Sequence, residues 1–313
     1  MDRNSVIIVT GAAGFIGSCL TGYLNRKGYS NIIIVDDFND EAKKHNYDEK
    51  KICARVDKEE LFDWLNRYKI RIDFVFHLGA YIGAGEQNDS SLKKINVAYS
   101  QKVWDYCAHK NIPLVYTSFE NMQKESSVDQ ADSGFDAWVV DQQEKKKLSP
   151  PFWACLNLSH VYGPNEYHKG TAASAVLHLF EQVNRQGKVT LGNKTSGTAT
   201  ARDFVYVKDV VDVCYWLMQK SAEDNGIPAS GFYDVGSGFT HSYEEVAEEV
   251  FKICGKQRVV EYNGTTSNDA FNDSGDRTNI SKLRNAGYKK EFYTLADGVK
   301  TYLTHFLSDH KYY

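Results

Sequence analysis

The chain has 313 residues, of which 25% are charged and 42% hydrophobic, and a formal net charge of −4. That balance fits a globular protein with one large core or two adjoining ones, and it gives no electrostatic reason to expect nucleic acid. The apolar runs are too short to cross a bilayer, and residues 1–5 carry no export signal, so no membrane segment is expected and a cytoplasmic location is. The six cysteines, at 19, 53, 107, 155, 214 and 254, form no close pair. They read as reduced thiols, mostly buried in apolar stretches. The histidines are scattered without metal-ligand spacing, so no metal is expected.

In chain order, residues 6–9, 32–35, 74–77 and 114–117 read as buried strands, short and rich in Val, Ile and aromatics. Residues 16–27, 58–68 and 91–110 read as helices between them, and 150–158 as a further strand. This alternation predicts an α/β fold, a doubly wound parallel sheet of Rossmann type covered on both faces. The second half is more mixed. Residues 171–186, 207–219 and 296–306 read as helices, 188–191 and 231–235 as strands, and 192–201 as a Gly/Thr/Ser-rich loop. Ser242 and Glu245 have capping-box spacing for a helix through residue 253.

Gly11, Gly14 and Gly17 follow the first strand and open the first helix, beside Phe15 and Ile16. One glycine permits a tight turn, another lets backbone amides approach a pyrophosphate, and another lets helix and strand pack closely. The helix N-terminus then faces negative charge. Asp36 lies nineteen residues past Gly17, at the tip of the next strand, where a carboxylate accepts from a ribose hydroxyl. A dinucleotide is therefore expected. Asp36 and Asp37 alone would repel a 2′-phosphate, whereas Lys43 and Lys58 would offset that charge; on the residues alone both lysines read equally as solvated surface. Leu78, Gly79 and Ala80 offer small residues for close cofactor approach after strand 74–77. Asn96 is placed either to bond that loop or to pack ordinarily.

The glycine pattern, His77-Leu-Gly-Ala80, Val161-Tyr-Gly-Pro164, His168-Lys-Gly170 and Arg202-Asp-Phe-Val-Tyr-Val207 together resemble the ADP-L-glycero-D-manno-heptose 6-epimerase family of extended short-chain dehydrogenases/reductases. The resemblance runs from residue 6 to about residue 306. The segment Tyr162-Gly-Pro-Asn-Glu-Tyr-His-Lys-Gly170 is its most specific part. It implies a Rossmann domain of residues 1–166 with about 203–237, and a smaller α/β substrate-binding domain of about 167–202 with 238–313. It also implies NADP ahead of NAD, ADP-heptose or a related sugar nucleotide as ligand, inversion at C6 for lipopolysaccharide core synthesis, and a homo-oligomer.

Residue by residue, the resemblance makes Lys169 the second proton-transfer base. It puts Ser118, His160, Thr171, His178, Arg202 and Asn272 on the substrate side, and Asp36, Lys43, Lys58 and Asn96 on the cofactor side. His178 reads equally as an ordinary helix residue. The family's Tyr-xxx-Lys pair, whose lysine lowers the phenol pKa, falls on Val128 and Asp132, and no tyrosine occurs between Thr117 and Val161. Slow or absent turnover is therefore expected. Two further readings stay open: a non-catalytic NADP- and sugar-nucleotide-binding paralogue serving as sensor or partner subunit, and another nucleotide-sugar reductase or dehydratase.

Overall fold

A computed structural model describes residues 1–79, 90–118, 134–192, 201–223, 225–263 and 277–313, without the side chains of 90–95. The first elements are β1 (Ile7–Thr10), α1 (Phe15–Arg26), β2 (Ile32–Asp36), β3 (Ala54–Asp57), α2 (Leu61–Tyr68), β4 (Phe74–His77), α3 (Ser90–Lys110), β5 (Leu114–Thr117), α4 (Phe135–Glu144) and β6 (Trp153–Leu158). There follow β7 (His160–Tyr162), α5 (Ala175–Gln186), β8 (Val189–Leu191), β9 (Arg202–Tyr206), α6 (Val207–Lys220) and β10 (Gly231–Val235). The last are β11 (Thr240–His241), α7 (Tyr243–Cys254), β12 (Val260–Tyr262), α8 (Ser281–Asn285) and α9 (Leu295–Tyr302). The chain divides into two compact units, residues 1–157 with 214–233, and residues 158–213 with 234–313.

The first unit is built on a seven-stranded sheet in the order β3-β2-β1-β4-β5-β6-β10. Its registers are parallel from β3 across to β6. This is the doubly wound Rossmann order, and it reverses at β1, whose Thr10 pairs with Val35 on one side and His77 on the other. Successive strand residues face opposite sides, so Ile8, Ile33, Val75 and Leu114 pack toward α2, α3 and α4 with Leu61, Leu65, Trp104 and Val139. Ile7, Val9, Ile34 and Phe76 are equally buried from the other side. Each such side chain contributes roughly 1.5–3 kcal/mol by leaving water.

The second unit carries two small sheets, β11-β9-β7 and β12-β8. β9 pairs parallel with β7 and antiparallel with β11. Against them lie α5, α7 and α9; α7 buries Val246, Ala247, Val250 and Phe251 along one stripe.

Several elements differ from the sequence expectation. β3, β7 and β9 carry charged or polar residues that broke the apolar pattern. The helix expected from residue 171 begins at Ala175, because Ser174 caps it by accepting from the Leu177 amide. Residues Tyr167–Ala172 form a separate 3-10 turn, kinked at Gly170 with φ +53°. Pro150 and Pro151 precede the last expected strand of the first half, which starts at Trp153. α9 runs on as a π-helical turn over Leu303–Leu307.

Candidate functional site

The first unit holds the residues expected on the cofactor side, several of them at the reversal of strand order. Gly11 takes φ +68°, and a Cβ there would lie 2.4 Å from the Gly79 Cα; a Cβ on Gly79 would lie 2.7 Å from the Gly11 Cα. The loops after β1 and β4 thus touch backbone to backbone, which no side chain at either position permits. At Gly17 an added Cβ would stand 2.2 Å from the Gly11 carbonyl oxygen, so helix and turn meet at a distance only glycine allows. Gly14 differs, since its added Cβ would come no nearer than 3.2 Å to anything. Its backbone is extended, it begins α1, and no side chain caps it there. Phe15 and Ile16 form the first turn behind it. A bare loop before an uncapped helix N-terminus is a cradle that a pyrophosphate fits.

The acid at the tip of β2 belongs to the same turn. Asp36 Oδ2 accepts from the Ala13 amide at 2.9 Å and Oδ1 from the Asp37 amide at 2.8 Å, and Lys43 Nζ stands 3.6 Å from Oδ1. A carboxylate has about four acceptor sites, so a ribose hydroxyl still has room. The Asn39 amide, with help from the charges of Lys58 and Lys43, holds the Asp37 carboxyl below its ordinary range. Asn46 donates to the Ala13 carbonyl at 2.8 Å and ties the turn down from the other side.

Beneath the reversal lies His77, fully buried. Its Nδ1 is 2.6 Å from Thr10 Oγ1 and its Nε2 2.8 Å from Ser100 Oγ. Burial pushes its pKa down to about 4, so the ring is neutral at physiological pH and bolts β1, β4 and α3 together under Leu78 and Gly79. Asn96 lies half-buried in α3. At the end of β5, the Ser118 hydroxyl donates to Asp136 Oδ2 at 2.5 Å, and the Cys155 thiol approaches Asp136 Oδ1 at 3.7 Å. Asp136 is buried in the first turn of α4, and that burial pushes its carboxyl up. Ser118 thus faces an acid that sequence reasoning missed. Ala80, Val128, Asp132 and Asn272 lie outside the described residues.

The second unit holds the other group. After β7, Gly163 takes φ +147°, and an added Cβ would lie 2.5 Å from Val207 Cγ1. The buried Asn165 adopts φ +74° and accepts from the Tyr313 amide at 2.8 Å. The buried Glu166 then accepts three bonds. Gly163 N donates to Oε1 at 3.2 Å, Ser174 Oγ to Oε1 at 2.7 Å, and Ser174 N to Oε2 at 2.6 Å. Lys169, half-buried, follows one 3-10 turn later, its amide donating to the Glu166 carbonyl at 3.0 Å. Burial lowers its proton affinity and the Glu166 charge raises it.

His178 Nε2 stands 3.3 Å from the Thr171 carbonyl oxygen, which brings those two expected residues together. His160 is exposed and its ring lies 5.9 Å from that of Phe204. Arg202, on β9, is buried, with one guanidinium nitrogen 3.3 Å from the Ala201 carbonyl oxygen. The next residue, Asp203, accepts from Ser237 N, Ser237 Oγ and Gly238 N at 2.6–2.9 Å. A cavity of about 930 Å³ in this unit is lined by Ser237, Phe239, His241, Arg277 and Arg284 among others, and by none of the expected substrate residues. Among the described residues there is no group of metal-ligating side chains and no helix long and apolar enough to cross a membrane.

The sequence pattern of the NAD dependent epimerase/dehydratase family matches residues 7–123 and 137–235. An ADP-L-glycero-D-manno-heptose-6-epimerase of Fusobacterium nucleatum is 32% identical over 97% of this chain and 98% of its own length. The crystal structure of the ADP-L-glycero-D-manno-heptose-6-epimerase of Helicobacter pylori has the same fold, with TM-score 0.75, 22% identity and 97% of each chain covered. The Thermus thermophilus UDP-glucose 4-epimerase in complex with NAD superposes with TM-score 0.68 at 23% identity, over 96% of this chain and 98% of that one.

Proposed function

The chain belongs to the NAD dependent epimerase/dehydratase family, in its ADP-L-glycero-D-manno-heptose 6-epimerase branch, and from that premise we propose that it binds NADP and inverts C6 of ADP-heptose slowly. The observation that carries the cofactor half is the turn made by Gly11, Gly14 and Gly17 against Gly79, with Asp36 bonded into it. In this reading the first turn of α1 faces the pyrophosphate and Asp36 takes an adenosine ribose hydroxyl. Lys43 and Lys58, whose charges both act on Asp37, favour a 2′-phosphate there. When bound, the cofactor supplies reversible hydride acceptance. Lys169 would take the proton from the C6 oxygen and later give it back, so the reaction would be a net isomerisation. Arg202 would offer a guanidinium fork to the diphosphate, with His160, Thr171 and His178 on the sugar side in the same unit.

A second reading, a non-catalytic paralogue that binds the same two ligands, is favoured by the residues at the family's tyrosine and lysine positions, Val128 and Asp132. One experiment separates the two. Denaturing the purified protein and identifying the released nucleotide by absorbance and mass tests the cofactor, with NADP expected over NAD. NMR of the C6 centre of added ADP-D-glycero-D-manno-heptose then tests turnover. Slow inversion that falls about 10²–10⁴-fold in Lys169→Met supports the epimerase. Binding of both ligands without inversion leaves the paralogue. A protein that NADP cannot fill ends both readings.

A further inference from the structure

The segment from Gly163 to Ser174 is a closed ring of backbone whose two ends are joined through one side chain. Glu166 Oε1 holds the Gly163 amide at one end and the Ser174 hydroxyl at the other, and Oε2 holds the Ser174 amide. Ser174 is also the N-cap of α5, so the carboxylate moors the ring to a helix. All three partners donate, and the Ser174 oxygen in turn accepts from the Leu177 amide. A carboxylate accepts only, so the ionised form matches these donors and the protonated form would have to displace one. A carboxylate with no exposed surface is costly unless a positive charge stands near it. Burial pushes the Glu166 carboxyl up, and the bonds from Ser174 and the charge of Lys169, on the same ring, oppose that; the charge acting on Lys169 is Glu166.

We propose that Glu166 is the positioning residue of Lys169: by tying Gly163 to Ser174 it fixes the turn that carries the amine, and its carboxylate, on the same ring, is the counter-charge to that amine. The inference rests on the reading of Lys169 as the proton-transfer base, and it names the group that would decide at which pH that base works. Burial alone drives Lys169 toward the free amine; the neighbouring carboxylate opposes this. Other titratable neighbours on the ring and packed against it include Tyr167, His168, His178 at 3.3 Å from the Thr171 carbonyl oxygen, His310 stacked on Tyr167 at 4.7 Å, and Tyr312 edge-on to it at 5.1 Å.

The test reads the amine directly and needs no turnover. Wild type and Glu166→Gln are labelled with trace acetic anhydride from about pH 8 to about pH 11, and acetylation of Lys169 is quantified by mass spectrometry. The expected result is a lower titration midpoint in Glu166→Gln, with Lys169 labelled about 3–10-fold faster near pH 9 while Lys188 and Lys300 are unchanged. A folded Glu166→Gln protein whose Lys169 titrates as in wild type overturns the proposal. Should that variant not fold, Lys169→Met reads the same coupling from the other side, because coupling is reciprocal. Removing the ammonium should raise the pH at which the Glu166 carboxyl takes up its proton, read by carbon-13 NMR of glutamate-labelled protein, and an unmoved Glu166 titration overturns the proposal equally. Loss of C6 inversion in Lys169→Met would bear on the role of the lysine, whereas the labelling bears only on Glu166.

Discussion

Asp209 is a buried carboxyl with one oxygen satisfied: Oδ2 accepts from the Tyr293 amide at 2.8 Å, and Oδ1 meets no partner among the described residues. Burial pushes its pKa up to about 7; the Tyr293 bond and the Lys290 charge oppose that shift, and the nearby Asp212 adds to it. Below about pH 4 the folded and unfolded chains both hold this proton. Between about 4 and 7 the unfolded chain releases it and the folded chain keeps it, so stability falls as pH rises through that window and is level above it. The loss is at most about 4 kcal/mol. Asp209→Asn should therefore raise the melting temperature, more at pH 8 than at pH 5; an equal change at both would show that ionisation is not the cause. Residues of this kind were not legible in the sequence. Gly11, Gly17 and Asp36 announced themselves because their chemistry depends on local spacing. Asp209, Asp136 and Glu166 depend on what the fold brings to them, and their letters resemble any surface acid. Glu166 lay inside a recognisable segment, yet its bonds to Ser174, eight residues away, had no local signal.

Among elements, α7 was the most readable, because its stop and start signals are short-range. Ser242 accepts from the Glu245 amide at 3.2 Å and the Glu245 carboxylate accepts from the Ser242 amide at 2.6 Å, completing the box. That second bond, first among its causes, holds the Glu245 carboxyl below its ordinary range. Ser242→Ala should cost about 1 kcal/mol, read as a lower urea midpoint at unchanged slope. No loss of stability would mean that α7 is held by packing alone. Strands fared less well than helices. β9 begins with Arg202 and Asp203, both buried, a pairing that reads as surface. The fold accommodates the acid by aiming Ser237, Gly238 and Thr278 at it. β3 likewise alternates Arg55 and Asp57 with Val56 at the edge of its sheet, and so carries half the apolar signal of a central strand. The helix at residue 171 was expected too early because the polar residues that end one turn and cap the next are the same types, and only Ala173 lies between that turn and the Ser174 cap.

At the scale of the molecule, the large sheet is not finished where its first six strands end. The chain leaves at Asn157 and returns at residues 214–233, bringing Cys214, Leu217 and Met218, all fully buried, and the start of β10 beside β6. A fragment of residues 1–157 should therefore melt without a cooperative transition or aggregate through its open β6 edge, whereas residues 1–233 should retain a helical, cooperative signal by circular dichroism. A cooperative 1–157 fragment would show that the return is dispensable. The doubly wound order was foreseeable from the strand–helix rhythm of the first half; the return was expected only through the family resemblance, which put about 203–237 with the first domain, since nothing in the letters of residues 214–233 themselves says which sheet they rejoin. One feature of the second unit carries a practical lesson. Tyr313 bonds to Asn165, and the Lys311 carbonyl receives the Tyr167 hydroxyl at 2.8 Å, so residues 311–313 rest on the stretch that bears Lys169. A substitution at Tyr313 would tug on that stretch, and Lys169 labelling gathered from such a variant would report the loss of this contact as much as the environment of the lysine.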